Sequence, residues 1–290
     1  MAELRVVAVL GVGIVPAHTP ILSADDLGTI RGDGIFETMH VRSGQAWLVD
    51  EHLNRMAASA ARLDLVLPAR DRLVALIDEA TAGWPVDQEG TLRLVCTRGR
   101  EDSATPTVFA SISSVPEALR ASREAGVSVL TASLGFPADL RQRSPWLLGG
   151  AKTLSYAINM ASLRWAQANG ADDVLWLSGD GYVLEAPTST LVWLIGTTLY
   201  SVPVEQTGIL AGTTAAFLLS QVGELDWTTA ERLIRPAELG QADGAWLTSS
   251  VRGVTPIRTI DGLAIPQAAE AGERIRELLG LSGEVPFARG

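Results

Sequence analysis

The feature that most constrains the fold is an alternation of short strand-like runs with helical patterns, met twice along the chain. In the first part, residues 36–41 and 46–49 flank Ser43 and Gly44 as the strands of a hairpin flank their turn. Residues 51–63 then set Leu53, Met56, Ala57, Ala60 and Leu63 on one helical face, residues 71–82 give a second helix, and strand-like 92–97 and 107–113 follow. The polar stretch 114–126, with Pro116, is the expected boundary. Beyond it, 127–132 reads as a strand. Residues 153–168 read as a helix with Tyr156, Met160, Leu163 and Ala166 at helical spacing and Asn169-Gly170 as its stop. Runs 173–177, 182–185 and 190–195 make a strand-rich meander about the turn 178–181, and 214–222 and 267–279 are two more helices. The expectation is an α+β chain of two domains, 1–119 a smaller α/β domain and 120–290 a larger one. Its 290 residues suit that division, because single domains usually hold about 100–200.

Composition narrows the function. With 47% hydrophobic and 19% charged residues the chain can bury large cores. Acidic residues outnumber basic ones 33 to 23, so nucleic acid and anionic membranes are disfavoured partners. Cys96 is the only cysteine, which excludes an internal disulfide and a CxxC site and fits a reducing cytoplasm. The apolar stretch 6–17 is far short of the roughly 20 residues that cross a bilayer. Glu3 and the lack of a clear cleavage site also make this stretch a first strand pair and not a leader. His18, His40 and His52 show no metal-binding spacing, and no GxSxG elbow is present, so zinc and serine-hydrolase chemistry are not expected.

Of the 23 basic residues, 22 are arginine, and the one lysine is Lys152. Arginine supplies positive charge equally well but stays protonated, so it cannot serve as an amine nucleophile or base. A lone lysine in such a chain points to Schiff-base chemistry; the plainer alternative is a chance survivor. The string Gly150-Ala151-Lys152-Thr153 is not a phosphate-binding P-loop, which needs glycine where Trp146 and Ala151 stand. Gly11-x-Gly13 and Gly32-x-Gly34 lack the third glycine of a dinucleotide fingerprint.

Six separated segments carry a resemblance: residues 31–38 (Arg-Gly-Asp-Gly-Ile-Phe-Glu-Thr), 52–55 (His-Leu-Asn-Arg), 152–156 (Lys-Thr-Leu-Ser-Tyr), 185–190 (Glu-Ala-Pro-Thr-Ser-Thr), 208–214 (Gly-Ile-Leu-Ala-Gly-Thr-Thr) and 248–253 (Thr-Ser-Ser-Val-Arg-Gly). In this order, over about residues 16–262, the chain resembles the class IV pyridoxal-phosphate enzymes of fold type IV. That family includes D-amino acid aminotransferase, branched-chain aminotransferase and 4-amino-4-deoxychorismate lyase. The resemblance implies a two-domain α+β fold with pyridoxal 5'-phosphate between the domains, a small-molecule amino substrate and a homodimer.

It also implies roles for particular residues. Lys152 is the Schiff-base lysine and proton carrier; burial among Leu147, Leu148, Ala151 and Leu154 would lower its pKa from about 10.4 toward neutrality. Glu185 would pair with the pyridine nitrogen. Arg55, the helix start at Gly212, Thr213 and Thr214, and Ser249 and Ser250 would hold the phosphate. Phe36 would line the substrate pocket, Arg98 or Arg252 would bind a substrate carboxylate, and Thr38 would stand near the reacting carbon. Plainer readings stand beside these: surface ion pairs for Arg98 and Arg252, a solvated helix residue for Arg55, a surface glutamate after a hairpin for Glu185, a turn for the serines and an ordinary strand residue for Thr38.

Within the family, residues 32–38 and 250–254 look most like aminodeoxychorismate lyase, which releases pyruvate to give 4-aminobenzoate for folate synthesis. Branched-chain aminotransferases usually carry Gly-Arg after Phe-Glu, where Thr38 stands here. D-amino acid aminotransferases often have tyrosine at the place of Phe36, although Arg98 and Arg100 suit them. A non-catalytic binding protein on the same fold is the distant alternative, and intact Lys152, Glu185 and Arg55 weigh against it.

Overall fold

The computed structural model describes residues 5–103 and 105–281. The chain divides into two compact units, one running to Pro116 and including Ala151–Tyr156, the other made of Glu117–Gly150 and the chain from Ala157 onward.

The first unit holds β1 (Arg5–Val9), β2 (Gly13–Val15), α1 (Leu27–Arg31), β3 (Gly34–Arg42), β4 (Gln45–Ala46), α2 (Val49–Arg62), α3 (Arg70–Ala82), β5 (Gly90–Thr97) and β6 (Thr107–Ser114). Its sheet runs β2-β1-β6-β5-β3-β4, with every neighbouring pair antiparallel. The two-residue period of the strands puts Ile35, Met39, Leu92, Leu94, Ala110 and Ile112 in one buried core with Leu53 and Met56 of α2 and Leu73, Leu76 and Ile77 of α3. The β3–β4 hairpin turns at Ser43 and Gly44, both with positive φ (50° and 73°), as a tight two-residue turn requires. Strand β4 ends at Ala46 and Val49 already opens α2, so the strand expected over 46–49 is shorter than its apolar pattern suggested.

The second unit holds α4 (Glu117–Ala125), β7 (Val127–Ser133), α5 (Leu140–Arg143), α6 (Ala157–Ala168), β8 (Asp173–Leu177), β9 (Thr190–Ile195), β10 (Thr198–Ser201), α7 (Val204–Thr207), α8 (Thr213–Gln221), β11 (Thr228–Glu231), α9 (Pro236–Leu239), β12 (Gly244–Ser249), β13 (Gly253–Ile260), β14 (Leu263–Ala264) and α10 (Ala269–Leu278). Its sheet runs β11-β10-β9-β12-β13-β7-β8, with β14 added beside β13. The β10–β11, β13–β7 and β7–β8 pairs are parallel. The core gathers Val127, Leu175, Leu191, Trp193, Leu247 and Ile257.

Three expectations differ from the structure. The polar stretch read as a boundary contains α4, a charged helix with no buried residue. Residues 182–185 form only an isolated bridge, Val183 to Leu177, and no strand. The helix expected from residue 153 starts at Ala157, and of its expected inner face only Ala166 is buried, while Met160 is exposed. Residues 152–154 are extended instead because β4 pairs with β3 only at Val41 and Arg42, leaving the Gly34–Phe36 edge open. Lys152–Leu154 takes that edge: Phe36 N donates to Lys152 O at 3.1 Å, Leu154 N donates to Gly34 O at 2.9 Å, and Thr153 bridges Ile35. These bonds group Lys152 with the first unit, whereas a linear division at residue 119 leaves it in the second.

Candidate active site

In the first unit the reactive candidates converge where Lys152 meets β3. The close approach depends on the two glycines of the Gly32-Asp33-Gly34 string. A Cβ on Gly32 would lie 2.5 Å from Ser155 Oγ, and one on Gly34 would lie 2.7 Å from Leu154 Cδ1 and 2.8 Å from Cys96 O. Gly32 also ends α1 in the left-handed region, at φ 68°. The Lys152 main chain is tied to α2 as well, donating from N to Ser59 Oγ at 3.1 Å.

The Lys152 amine sits 4.5 Å above the centre of the Phe36 ring and 3.4 Å from the Tyr156 hydroxyl. Phe36 and Tyr156 meet edge to face at 5.1 Å. The contacts given for the lysine amine are thus an aromatic pair, while of the aliphatic residues expected around it Leu147 is exposed. Thr38 follows Phe36 by two residues and so shares its sheet face.

On the other face of β3, Glu37 is fully buried between the core residues Ile35 and Met39. Arg55 donates to it twice, Nε to Oε1 at 2.9 Å and Nη2 to Oε2 at 2.6 Å, and His52 Nδ1 lies 2.7 Å from Oε2. Burial alone would raise the Glu37 pKa, but the Arg55 charge and hydrogen bonds, with those of His52, bring it down to about 2. Burial lowers the His52 pKa against the pull of Glu37, so the ring is neutral near pH 7 and donates an Nδ1–H hydrogen bond to the carboxylate.

Arg98 lies in the same unit with its guanidinium engaged. Nε and Nη2 fork onto Asp33 at 2.7 and 3.1 Å, and Nη1 and Nη2 donate to the main-chain oxygens of Asp64 and Leu63 just beyond α2. A residue the sequence reading passed over occupies a different position: Arg93 on β5 stands directly opposite Thr38 on β3. It is exposed and has no hydrogen bond or ion pair among the described residues. The signal was available, since an arginine inside an apolar strand whose neighbours Leu92 and Leu94 are both core must project from the opposite face.

In the second unit, Glu185 follows β8. Arg141 Nη1 donates to its Oε1 at 2.8 Å and Leu210 N to its Oε2 at 3.2 Å, leaving the carboxylate 12% exposed. The Arg141 guanidinium lies 5.3 and 5.8 Å from the Phe136 and Trp176 rings. Arg141 was not singled out in the sequence, and nothing in its Arg-Gln-Arg surroundings distinguishes it. Gly212 caps the N-terminus of α8, where Thr213 and Thr214 are the first residues. A Cβ on Gly212 would lie 2.3 Å from Thr190 Oγ1. The buried Thr214 Oγ1 has no partner among the described residues, and Thr213 Oγ1 is 3.5 Å from Ser250 Oγ. Ser249 ends β12 and pairs across the turn with Gly253. Arg252, in that turn, is held by fully buried Asp173 through a 2.6 Å contact from Nη1.

Comparison with known proteins adds to this geometry. Residues 34–260 match the family of amino-transferases of class IV. A bifunctional aminodeoxychorismate lyase / D-amino acid transaminase of Mycobacterium tuberculosis is 41% identical over 256 residues, covering 86% of this chain and 89% of the relative. Among solved structures, a hypothetical aminotransferase from Mycobacterium tuberculosis in its PLP-bound form aligns with a TM-score of 0.91 and 40% identity, covering 96% of this chain and 98% of that one. A fold IV transaminase from Curtobacterium pusillum aligns with a TM-score of 0.88 and 34% identity, covering 95% and 99%.

Proposed function

The chain belongs to the class IV aminotransferases, pyridoxal-phosphate enzymes of fold type IV, and on that premise we propose that it is a 4-amino-4-deoxychorismate lyase able also to transaminate D-amino acids. The observation that carries this reading is its 41% identity, across 86% of the chain, to a relative named for both activities. Thr38, on the same sheet face as the Phe36 ring beneath the Lys152 amine, supports the lyase half.

The residues present fit the cofactor. An amine held over an aromatic ring suits its aldehyde. Near a helix N-terminus, the buried Thr214 Oγ1, without a partner among the described residues, and the Thr213 hydroxyl, 3.5 Å from that of Ser250, suit its phosphate. Arg55, Gly212 and Ser249 complete the proposed phosphate set, and Glu185 is the proposed partner of the pyridine nitrogen. When bound, pyridoxal phosphate supplies an aldehyde for the substrate amine and a ring that withdraws electrons from the adjacent carbon.

Lys152 Nζ would hold the cofactor's aldehyde, and with a substrate amine bound in the site the same nitrogen would remove the proton from the carbon bearing that amine. In the lyase reaction the freed electron pair completes the aromatic ring as the neighbouring enolpyruvyl ether bond breaks, giving 4-aminobenzoate and, after proton uptake, pyruvate. The Thr38 hydroxyl donates a hydrogen bond to the departing ether oxygen. In transamination Lys152 delivers the proton elsewhere and needs no leaving-group donor. The purified protein should therefore form 4-aminobenzoate and pyruvate from aminodeoxychorismate, and pyruvate from D-alanine plus 2-oxoglutarate. Thr38→Val, which keeps the side-chain shape, should slow the first reaction about tenfold and spare the second. No aminobenzoate from the wild type would refute the lyase assignment.

For the substrate carboxylate, Arg93 is the better candidate than either arginine chosen from sequence. The guanidinium of Arg98 is forked onto Asp33 and that of Arg252 is held by buried Asp173. Among the described residues Arg93 has no such competitor, and it stands beside Thr38. Arg93→Leu should raise KM, lowering kcat/KM about a hundredfold at nearly unchanged melting temperature. Arg98→Leu should instead lower the melting temperature, with kcat/KM falling only a few-fold. The reverse pattern would return the carboxylate to Arg98.

A further inference from the structure

We propose that Glu37, pinned by His52, is a positioning residue that aims the Arg55 guanidinium at the phosphate of the cofactor. The inference rests on the assignment of Arg55 to that phosphate made above.

Glu37 occupies a place where the fold alone would favour an apolar residue. It lies on β3 between Ile35 and Met39, fully buried against α2. A carboxylate there is tolerated only because three hydrogen bonds satisfy it, two from Arg55 and one from His52. Replacing such a buried ion pair by apolar side chains of like volume is often no less stable, so stability by itself gives weak reason for the arrangement.

Its geometry suggests a different use. Arg55 leaves α2 on a long flexible side chain, which ordinarily loses conformational freedom when it grips an anion. The two carboxylate oxygens of Glu37 remove that freedom in advance by fixing the planar guanidinium at two nitrogens, Nε and Nη2. His52 stands one helical turn before Arg55, on the same face of α2, and its 2.7 Å contact with Oε2 stops the carboxylate from rotating away. Glu37 thus stands to Arg55 as a supporting shell stands to a ligand-binding group. The carboxylate remains ionised throughout the working pH range, because its pKa lies at about 2.

The test compares pyridoxal phosphate with pyridoxal, which differ only in the phosphate. Full-length wild type, Glu37→Gln and Arg55→Leu are titrated with each, following the absorbance of the lysine-bound aldehyde, and each is melted without cofactor. Arg55→Leu should weaken pyridoxal phosphate about a hundredfold and pyridoxal hardly at all. Glu37→Gln should weaken pyridoxal phosphate about tenfold, again sparing pyridoxal. A merely structural role would lower the affinity for both compounds together. If Arg55→Leu keeps the preference for the phosphorylated form, the phosphate assignment is at fault and the positioning role falls with it. If Arg55→Leu loses the preference while Glu37→Gln keeps it or binds pyridoxal phosphate more tightly, the positioning role alone is overturned, and Glu37 is only a competing charge. Should Glu37→Gln not fold, Glu37→Asp, whose shorter carboxylate cannot reach both partners, should show a smaller loss in the same direction; an unchanged preference there overturns the proposal equally.

Discussion

Lys152→Arg should fold and yet show neither lyase nor transaminase activity, with turnover at least about 10⁴-fold below wild type. The main chain at residue 152 carries the bonds to Phe36 and Ser59, with Leu154 N bonding Gly34 beside it, and these survive any side-chain change, so the melting temperature should move little. Positive charge survives as well. What disappears is an amine that can bond to an aldehyde and carry a proton. Borohydride treatment of the cofactor-loaded wild type should attach the cofactor covalently to the peptide containing Lys152, and the same treatment of the variant should leave no label. Since the chain has no other lysine, no other side-chain amine can complicate the experiment. Substantial turnover by the variant would end the reading of Lys152 as the covalent anchor.

Glu185→Gln should lower kcat about 10²–10³-fold while changing KM little, because a neutral amide stabilises a protonated pyridine nitrogen far less than a carboxylate does. Stability should suffer too. Arg141, only 18% exposed, would keep its ring contacts and lose its carboxylate partner, at a cost of about 3 kcal/mol or less, since the amide oxygen can still accept one bond. The two effects separate in Glu185→Asp, which keeps the charge: activity should recover in part even where the shorter side chain loses its reach to Leu210 N. A Glu185→Gln enzyme with unchanged kcat would mean that this carboxylate serves only to hold Arg141 and the Leu210 amide.

Much of the framework was legible in the sequence, because it depends on local periodicity. The helices α2 and α3 and strands β5 to β9 were visible wherever an apolar stripe or an alternation faced a core. Strand β8 and strand β9 begin and end where the pattern placed them. Legibility failed where long-range pairing decided the outcome. Residues 153–156 have a helical pattern, but an open edge of β3 claims the main chain there, and no local signal announces an edge more than a hundred residues away. Helix α4 was passed over because its charged residues, following Pro116, read as a boundary segment.

The candidate site divides the same way. The lone amine at 152 stood out in the chain itself, and the family resemblance implied a role for the carboxylate at 185. Which arginine is committed to a neighbour could not be read there. Arg98 sits in a recognisable motif, yet Asp33, 65 positions away in sequence, takes its fork, while Arg93 drew no attention and has no acidic partner among the described residues. Ion pairing is a property of the folded surface, and a sequence lists the partners without joining them.

The strand formed by residues 152–154 has a last consequence for how the protein comes to be active. The bonds that seat the lysine are the same bonds that close the exposed end of β3. A nascent chain whose first sheet has not yet assembled has an amine with no fixed address. The orientation of that amine is therefore acquired only when the edge of β3 closes, so its placement is a product of long-range assembly and not of the local chain.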